Sequence, residues 1–375
     1  MESLIKQCPV CSCSEITNIF QSDRVTKYNL NYLETLGEAL SSPYVTVNFA
    51  ECNKCGFLFN SAYEQLDYDI SYDANRSYSQ VYDSYLDKIL NIILENVEIS
   101  CLKNILEIGF GDGKFLEKIS LANQLKQKNF FGFDPSYQEN FHIDKCELSK
   151  QYYSKDTKIE PDILILRHTL EHISDVQEFM HQMVSENPEY LFIEVPCKKY
   201  VYETNSFHYF SNEHCSYFDK YSLIALMENF GYFPKHLSYE FNNENLVALF
   251  HRSNLKDYEL KEEITPSIQS FDSFKLDFFT KFDTAYDFLW GASGKGVCIT
   301  NIVGLTYSDC EVIVDINKDI QGKYLPGTGI KVISPEDLSQ RMSNHSKVIV
   351  LNALYQDEVR KKLEKLGFNQ KVISI

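Results

Sequence analysis

The chain has 375 residues, and at about 150 residues per domain that length has room for two or three domains. Its hydrophobic fraction of 44% and charged fraction of 24% are ordinary for a globular protein, and no apolar run approaches the ~20 residues that cross a bilayer. The net charge of −17 repels nucleic acid and anionic membranes, which disfavours both as partners. The N-terminal stretch has no apolar signal core, so the sequence favours a cytoplasmic location.

Two Cys-x-x-Cys pairs lie in the first 65 residues: Cys8 with Cys11, and Cys52 with Cys55. Two intervening residues let both thiolates of a pair bind one ion at ~2.3 Å, and two pairs complete a tetrahedron. Four sulfur ligands leave no open position, so we expect a structural Zn²⁺, with a small hairpin filling the gap between the pairs. A redox pair or unrelated cysteines are the alternatives, and Cys13 competes with Cys11 as a ligand.

From residue 66 to about residue 250 the pattern predicts a helix first and then alternating strands and helices. The predicted strands lie at 104–110, 129–136, 161–173 and 189–196, and the predicted helices lie at 78–97, after 113, from about 176 and at 222–232. Strands that alternate with helices indicate a doubly wound parallel sheet, whose ligands bind at the carboxyl ends of the strands.

A charged linker at 251–265 precedes a second region of strand and helix alternation at 266–375. We therefore predict an α/β protein in three parts. These are a zinc-binding subdomain at 1–65, a Rossmann-like domain at 66–250 and a C-terminal Rossmann-like α/β domain at 251–375.

A glycine-rich loop joins the first predicted strand of the sheet to its helix, and it carries Glu107, Gly109, Gly111, Asp112 and Gly113. Glycines permit a tight turn and close approach of a ligand to backbone amides, but such a triplet also fits a dinucleotide or a flavin. Three acids favour S-adenosylmethionine: Glu107, Asp112, and Asp134 at the end of the next strand, where a carboxylate accepts both ribose hydroxyls. A glycine turn without a ligand is the remaining alternative.

The E-x-G-x-G-x-G loop, RHTLEHISD at 167–175 and IEVP at 193–196 resemble class I S-adenosylmethionine-dependent methyltransferases. A closer resemblance, to the three-part C-methyltransferases of dTDP-4-keto-deoxysugars, spans nearly the whole chain. It rests on the paired cysteines and on NEHCSYF at 212–218, GASGKG at 291–296, DINKDIQGKYLPGTGI at 315–330 and VISPEDL at 332–338. It implies methylation of a carbon beside the ketone of a nucleotide-linked sugar.

The same resemblance implies roles for individual residues. His214 would be the general base that removes the proton from the sugar carbon, and Glu213 would orient its imidazole or polarise the sugar. His172 would lie near the transferred methyl group, and His168 would lie beside the cofactor. An imidazole suits proton abstraction because its unperturbed pKa of ~6.5 lies near operating pH.

Substrate contacts are implied at five positions: Tyr72, Tyr78, Lys295, Lys323 and Tyr324. Lys295 lies in GASGKG, whose backbone amides suit a pyrophosphate, although a plain βα turn explains the glycines equally well. The tyrosines can equally be packing residues of the first helix and its approach.

Two positions depart from the family pattern. Ser211 stands where the family has a tyrosine three residues before the histidine, and Gly329 stands where it usually has a histidine. Tyr209, Tyr72 and Tyr78 are candidates to supply the missing phenol. O-methylation of a sugar or small molecule and a non-catalytic zinc protein that retains S-adenosylmethionine therefore remain as alternatives. A nucleic-acid methyltransferase is disfavoured by the acidic charge.

Overall fold

The computed structural model describes residues 4–66, 80–137, 141–154, 157, 159–253, 267–338, 340–343, 345–369 and 371–375. Two of the predicted substrate residues, Tyr72 and Tyr78, lie outside these ranges. The described residues form three β-sheets, and none of their helices is both long and apolar enough to span a bilayer.

An antiparallel sheet of four strands contains most of the N-terminal region. Its strands, in spatial order, are β1 (Ile16–Thr26), β2 (Tyr44–Cys52), β3 (Leu58–Asn60) and β9 (Ser216–Tyr217). The short helix α1 (Leu36–Leu40) lies between β1 and β2, whose pairing confirms the predicted hairpin between the two cysteine pairs. Because β9 follows His214 directly, this sheet is tied to the loop that carries the predicted base.

The central sheet has seven strands in the order β10-β11-β8-β7-β4-β5-β6. They are β4 (Asn104–Ile108), β5 (Asn129–Phe133), β6 (Cys146–Ser149), β7 (Ile163–Arg167), β8 (Tyr190–Pro196), β10 (Phe233–Glu240) and β11 (Asn245–His251). The first five in chain order are parallel, which confirms the doubly wound sheet, whereas β11 runs antiparallel to β8 and β10. The sequence analysis did not predict β6 or the β10–β11 hairpin.

Helices cover both faces of the central sheet: α2 (Gln80–Asn96), α3 (Lys114–Leu121), α4 (Val176–Met183), α5 (Lys198–Glu203) and α6 (Lys220–Glu228). Every residue of β7 and β8 is buried, as expected for parallel strands packed on both sides. Each face has its own apolar cluster, and the cluster on one face also takes in Cys8, Val10 and Cys52 from the N-terminal region.

The C-terminal sheet has five parallel strands in the order β14-β13-β12-β15-β16. They are β12 (Phe288–Trp290), β13 (Val312–Val314), β14 (Lys331–Ile333), β15 (Val348–Val350) and β16 (Val372–Ser374). The accompanying helices are α7 (Phe271–Lys281), α8 (Gly294–Val303), α9 (Pro335–Leu338) and α10 (Gln356–Lys365). One apolar cluster joins this layer to the N-terminal sheet, for example through Phe20, Phe210 and Ile302.

Lys198 forms a buried polar joint between the N-terminal sheet and the central domain. Its ammonium lies 2.6 Å from Asp219 Oδ2 and 3.2 Å from Glu51 Oε1, and it donates to the Gly56 carbonyl at 2.6 Å. Burial opposes this charge, but Asp219 and Glu51 together hold the pKa of Lys198 above its ordinary value. The lysine therefore neutralises two carboxylates that would otherwise repel each other.

We expect Lys198→Met to lower the free energy of unfolding by about 3 kcal/mol, because it leaves Asp219 and Glu51 without their shared counter-ion. Urea denaturation measures the change, with Lys361→Met on exposed α10 as the matched control. A loss no larger than that of the control would contradict the assignment of Lys198 as a structural joint.

Candidate active site

A buried ion pair lies at the carboxyl ends of β7 and β8. Arg167 Nε donates to Glu194 Oε2 at 2.6 Å, and both side chains are almost wholly inaccessible to solvent. Glu194 Oε1 also accepts from Tyr85 (2.5 Å) and Asn245 (2.9 Å). Although burial opposes ionisation of both groups, Arg167 holds the pKa of Glu194 well below its usual range, and Glu194 holds that of Arg167 above its own.

His168 extends this network. Its Nε2 lies 3.1 Å from Glu194 Oε1, and its Nδ1 lies 3.1 Å from Glu171 Oε1. A doubly protonated imidazolium can donate at both nitrogens, one to each carboxylate. The backbone of His168 is in the left-handed region at φ 50°, a strained conformation for a histidine, so the surrounding contacts must hold it there.

His168 was predicted to lie beside the cofactor. The structure places it at the predicted edge of the sheet, but both ring nitrogens already face carboxylates. We therefore assign its imidazole to the network beneath the site, where it links Glu194 to Glu171.

The glycine-rich loop follows β4 and leads into α3, as predicted. Gly109 and Gly113 both have positive φ, and a Cβ at either would collide with a neighbour. At Gly109 the obstacle is Thr169 Oγ1 at 2.3 Å, and at Gly113 it is the Phe141 ring at 2.7 Å. Gly111 also has positive φ, but no atom of the described residues lies within 4 Å of its Cβ position, so on that side the backbone is open to a ligand.

Asp134 follows β5 and lies against this loop. Its Oδ2 accepts from the Gly111 amide at 2.8 Å, and its Oδ1 accepts from the amide and hydroxyl of Ser136 at 2.8 and 2.6 Å. These bonds fix the carboxylate at the mouth of the glycine loop, and Oδ2, which accepts one of them, has a further lone pair for a ribose hydroxyl. Asp112 is exposed at the tip of the loop and accepts from the Lys114 amide.

Glu107 is the buried acid of the site. Its Oε1 lies 3.9 Å from an Arg167 nitrogen, and its Oε2 is buried with no hydrogen-bond partner in the part of the chain that the structure describes. Burial raises the pKa of Glu107 to about 8; Arg167 opposes the rise, and the carboxylates of Asp112, Glu194 and Asp134 add to it. An orphaned acceptor beside a glycine loop fits a ligand that brings hydroxyl donors, such as the ribose of S-adenosylmethionine.

His172 and His214 face each other beside this edge of the sheet. Their ring centroids are 4.8 Å apart, with the planes nearly perpendicular at 82°. The His172 Nδ1 lies 2.7 Å from the Glu213 carbonyl oxygen, so this nitrogen carries the proton and donates. Both rings are partly exposed, unlike the buried residues around them.

The structure gives both the carboxylate and the backbone carbonyl of Glu213 a hydrogen-bond partner. Its Oε1 accepts from the backbone amides of Asn29 (2.6 Å) and Leu30 (3.3 Å), in the turn after β1. The backbone carbonyl of Glu213 accepts from His172 and so orients that ring. The Glu213 carboxylate connects the loop that carries His214 to the N-terminal region.

Ser211 forms a different contact from the phenol that it replaces. Its Oγ accepts from the His214 amide at 3.3 Å, so it shapes the backbone turn that presents the imidazole. Tyr217 lies 6.1 Å from the His214 ring, but its hydroxyl donates to the Tyr209 carbonyl. Tyr209 is itself fully buried beneath Lys295, whose ammonium lies 4.6 Å from its ring centroid.

Lys295 lies in the first turn of α8, and its Nζ lies 2.6 Å from Glu244 Oε1. Its charge is therefore largely compensated by Glu244 at the start of β11, which weakens the case for Lys295 as the main pyrophosphate contact. The backbone amides of the same turn remain suitable, because Ser293 at the N-cap makes no side-chain cap.

Lys323 and Tyr324 tie the C-terminal domain to the N-terminal region. Tyr324 exchanges backbone hydrogen bonds with Leu33, and the Lys323 ammonium lies 3.4 Å from Glu34. Among the contacts of the described residues, none joins either side chain to the histidine pair. At Gly329, φ is +69° and a Cβ would lie 2.6 Å from Leu36, so a histidine here would require rearrangement.

The four predicted metal ligands converge. The sulfur of Cys8 lies 3.6 Å from that of Cys55, and Cys11 lies 3.5 Å from Cys52, with all four within 4.8 Å of one another. A tetrahedron with ~2.3 Å zinc–sulfur bonds has edges of about 3.8 Å, so the donor set and spacing fit Zn²⁺.

The two cysteine turns share one backbone pattern. The Ser12 amide donates to the Cys8 carbonyl (2.8 Å) and the Gly56 amide donates to the Cys52 carbonyl (2.9 Å), with positive φ at Ser12 and Gly56. Cys13 closes the first turn through its backbone carbonyl, which accepts from Cys8. Its thiol lies outside the four-sulfur cluster, which favours Cys11 as the ligand.

Five buried residues that hold the site together were not predicted from the sequence: Tyr85, Arg167, Glu171, Glu194 and Asn245. One signal was available, because ILILR and YLFIEVP each place a charged residue in an otherwise apolar strand. A charge in a fully buried strand needs a partner, and neighbouring parallel strands end at the same edge.

Two family models match the chain. A methyltransferase domain matches residues 79–237, and a C-methyltransferase C-terminal domain matches residues 255–372. The first covers the glycine loop, Asp134 and both histidines, and the second covers the C-terminal sheet. The chain is therefore an S-adenosylmethionine-dependent methyltransferase that carries a C-methyltransferase C-terminal domain.

Similar solved structures cover a little under half of the chain. The methyltransferase domain of bacterial CtHen1 is 14% identical, with 46% of this chain and 99% of that chain covered and a TM-score of 0.36. Magnesium protoporphyrin IX methyltransferase from Synechocystis PCC 6803, with bound S-adenosylhomocysteine, is 10% identical, with 46% and 84% covered and a TM-score of 0.36. The CurJ carbon methyltransferase is 13% identical, with 47% and 56% covered and a TM-score of 0.37.

At these TM-scores the structural likenesses carry no argument about the reaction. Among curated proteins, none matches the chain by sequence.

Replacement of Glu107 by glutamine should separate stability from cofactor binding. The unfolded carboxyl ionises near pH 4.5 whereas the folded one keeps its proton to about pH 8, so wild-type stability falls as the pH rises between these values. We expect Glu107→Gln to be more stable than wild type at pH 9 by about 2 kcal/mol, with little difference at pH 4, and to bind S-adenosylmethionine at least ~10-fold more weakly.

Urea denaturation at both pH values and calorimetric titration measure the two effects. Glu117→Gln, on the exposed side of α3, is the control. Equal destabilisation at both pH values would show that Glu107 is a structural ion-pair partner instead.

Proposed function

We propose that this enzyme transfers the methyl group of S-adenosylmethionine to a carbon beside the ketone of a nucleotide-linked deoxysugar. The observation that carries the proposal is the His172–His214 pair, partly exposed and 4.8 Å apart between ring centroids, at the sheet edge where the glycine loop and Asp134 lie. Proton abstraction from carbon needs a positioned base near neutral pKa, and an accessible imidazole provides one.

In this scheme His214 takes the proton from the sugar carbon. When bound, S-adenosylmethionine supplies an electrophilic methyl group on sulfur. Glu107 and Asp134 accept hydrogen bonds from its hydroxyls, and Gly111 leaves the backbone open beside it. His172, which is held as a donor at Nδ1, presents an unprotonated Nε2 when neutral.

The substrate assignment also draws on the C-terminal match and on GASGKG. We propose that the nucleotide end of the substrate meets the amides at the start of α8, with Lys295 and its partner Glu244 at the rim. Lys323 and Tyr324 are proposed to position the C-terminal domain through their contacts with the N-terminal region. The three units are proposed to divide at 1–65, 66–250 and 251–375.

O-methylation is a second candidate because Ser211 replaces the expected phenol and only shapes the His214 turn. A hydroxyl proton is removed far more easily than a carbon-bound proton, so such a reaction needs no group to stabilise an enolate. The two candidates differ in the atom that receives the methyl group.

Methyl-labelled S-adenosylmethionine and a panel of nucleotide sugars test the proposal. We expect a new carbon–methyl signal by proton–carbon NMR from keto sugars alone, and His214→Gln should reduce turnover at least ~1000-fold with S-adenosylmethionine affinity nearly unchanged. His251→Gln is the matched control because His251 contacts Glu189 away from the site. A methyl on oxygen would favour the second candidate, and an equal loss of cofactor affinity would make His214 structural.

We further propose that the four cysteines bind one structural Zn²⁺. The turn between Cys8 and Cys11 is connected to the central domain because the side-chain amides of Gln177 and Asn229 donate to the Val10 carbonyl. Loss of the metal should therefore loosen contacts beyond the N-terminal region.

We expect Cys52→Ser to lose the bound zinc, as measured by elemental analysis, and to lower the free energy of unfolding by about 3 kcal/mol or more. Cys101→Ser is the control, since Cys101 is an exposed thiol outside the cluster. Zinc retained at wild-type level in the Cys52 variant would contradict the four-sulfur site.

A further inference from the structure

Glu171 lies beneath the histidine pair and has no role in the reaction scheme proposed for His214. It is fully buried in the turn after β7, and none of the described residues forms a hydrogen bond with its Oε2. One carboxylate oxygen and a ring nitrogen from each of His172 and His214 all lie within 4.8 Å of one another. A buried acceptor with an unused lone pair, next to two imidazoles, is placed to respond to a positive charge on either ring.

The position of Glu171 is fixed from two sides. Its Oε1 lies 3.1 Å from His168 Nδ1, at the end of the network that begins with Arg167 and Glu194. Its backbone carbonyl accepts from the Cys215 amide at 2.8 Å, which ties the turn after β7 to the loop that carries His214. The backbone contact therefore fixes the main chain of Glu171 against the loop of His214, and the His168 contact fixes the direction of its carboxylate.

Glu171 is the acid whose carboxylate oxygen lies within 4.8 Å of ring nitrogens of both His172 and His214, and the other ionisable groups nearby have different surroundings. The Glu213 carboxylate is bonded to the amides of Asn29 and Leu30. Cys215 and Tyr217 lie in the same loop, Cys298 lies in α8, and all three are fully buried. Burial raises the pKa of each above its ordinary value, so all three stay neutral. His172 and His168 are the other rings, and His168 lies on the far side of Glu171.

We propose that Glu171 is a positioning residue: aligned by His168, its carboxylate stabilises the imidazolium that forms when His214 accepts the substrate proton. This rests on the proposed role of His214 as base. The arrangement uses the principle by which a buried acid supports a catalytic histidine, with the proton remaining on the imidazole. The family resemblance implied that Glu213 orients the His214 imidazole, and we assign that function to Glu171.

The direct test needs no turnover. Titration of the labelled His214 ring by NMR, assigned through its absence in His214→Gln, should give a pKa about one unit lower in Glu171→Gln than in wild type. The base must be neutral to accept a proton, so the rising limb of the kcat/KM profile should move to lower pH by the same amount. Glu178→Gln, an exposed position on α4, should leave both unchanged. An unshifted His214 titration in a folded Glu171→Gln protein overturns the proposal.

A second variant should shift the pKa of His214 in the opposite direction. It also tests the proposal if Glu171→Gln does not fold. His168→Asn keeps a side chain that tolerates positive φ but removes the imidazole that contacts Glu171 Oε1, so the carboxylate loses a partner that competes with His214. His214 should then titrate at higher pH than in wild type, and a fall or no change overturns the proposal. Retention of Co²⁺ by wild type but not by Glu171→Gln, with activity dependent on the metal, would also overturn it, since the cluster would then be a cation site.

A shifted titration without methyl transfer to any nucleotide sugar would contradict the proposed substrate while supporting the placement of Glu171. The two proposals can therefore fail separately.

Discussion

The ion pair of Arg167 and Glu194 is the constraint on which the site depends, because two charges at the centre of a buried sheet must be neutralised where they lie. Arg167 is the last residue of β7 and Glu194 lies beside it in β8. Their pairing therefore fixes the register of these two strands at the edge where the cofactor is proposed to bind. Every remaining lone pair and proton then needs a partner, and Tyr85, Asn245 and His168 provide these. The polar network thus follows from two charges in otherwise apolar strands.

The surrounding domains hold the loops that this network positions. The N-terminal sheet takes β9 from the segment after His214, and Glu213 caps amides after β1 on the same side. The C-terminal domain packs against that sheet through a shared apolar cluster, and Lys295 reaches Glu244 at the start of β11. The loop that carries His214 is therefore held by contacts outside the central sheet as well as within it.

Much of the fold was readable from the sequence. Continuous apolar strands, the glycine loop and the cysteine spacing are local signals, and they predicted β4, β5, β7, β8 and the convergence of four thiols. The β10–β11 hairpin was missed because FPKHLSYE is half-buried and mixed in polarity, so it lacks a clear pattern. The contact of the Glu213 carboxylate with Asn29 could not be predicted because the direction of a side chain depends on tertiary contacts: Asn29 is distant in sequence, and only the folded chain brings its amide to the carboxylate.

The central claim is that His214 removes a proton from carbon, and exchange in heavy water tests it most directly. A nucleotide-linked 4-keto sugar would be incubated in D₂O with the enzyme and S-adenosylhomocysteine, and NMR would follow the proton beside the ketone. The account predicts that wild-type enzyme exchanges this proton for deuterium without methyl transfer and that His214→Gln does so no faster than buffer. Exchange that persists in His214→Gln, or wild-type enzyme that methylates the sugar on oxygen without any exchange, would contradict it.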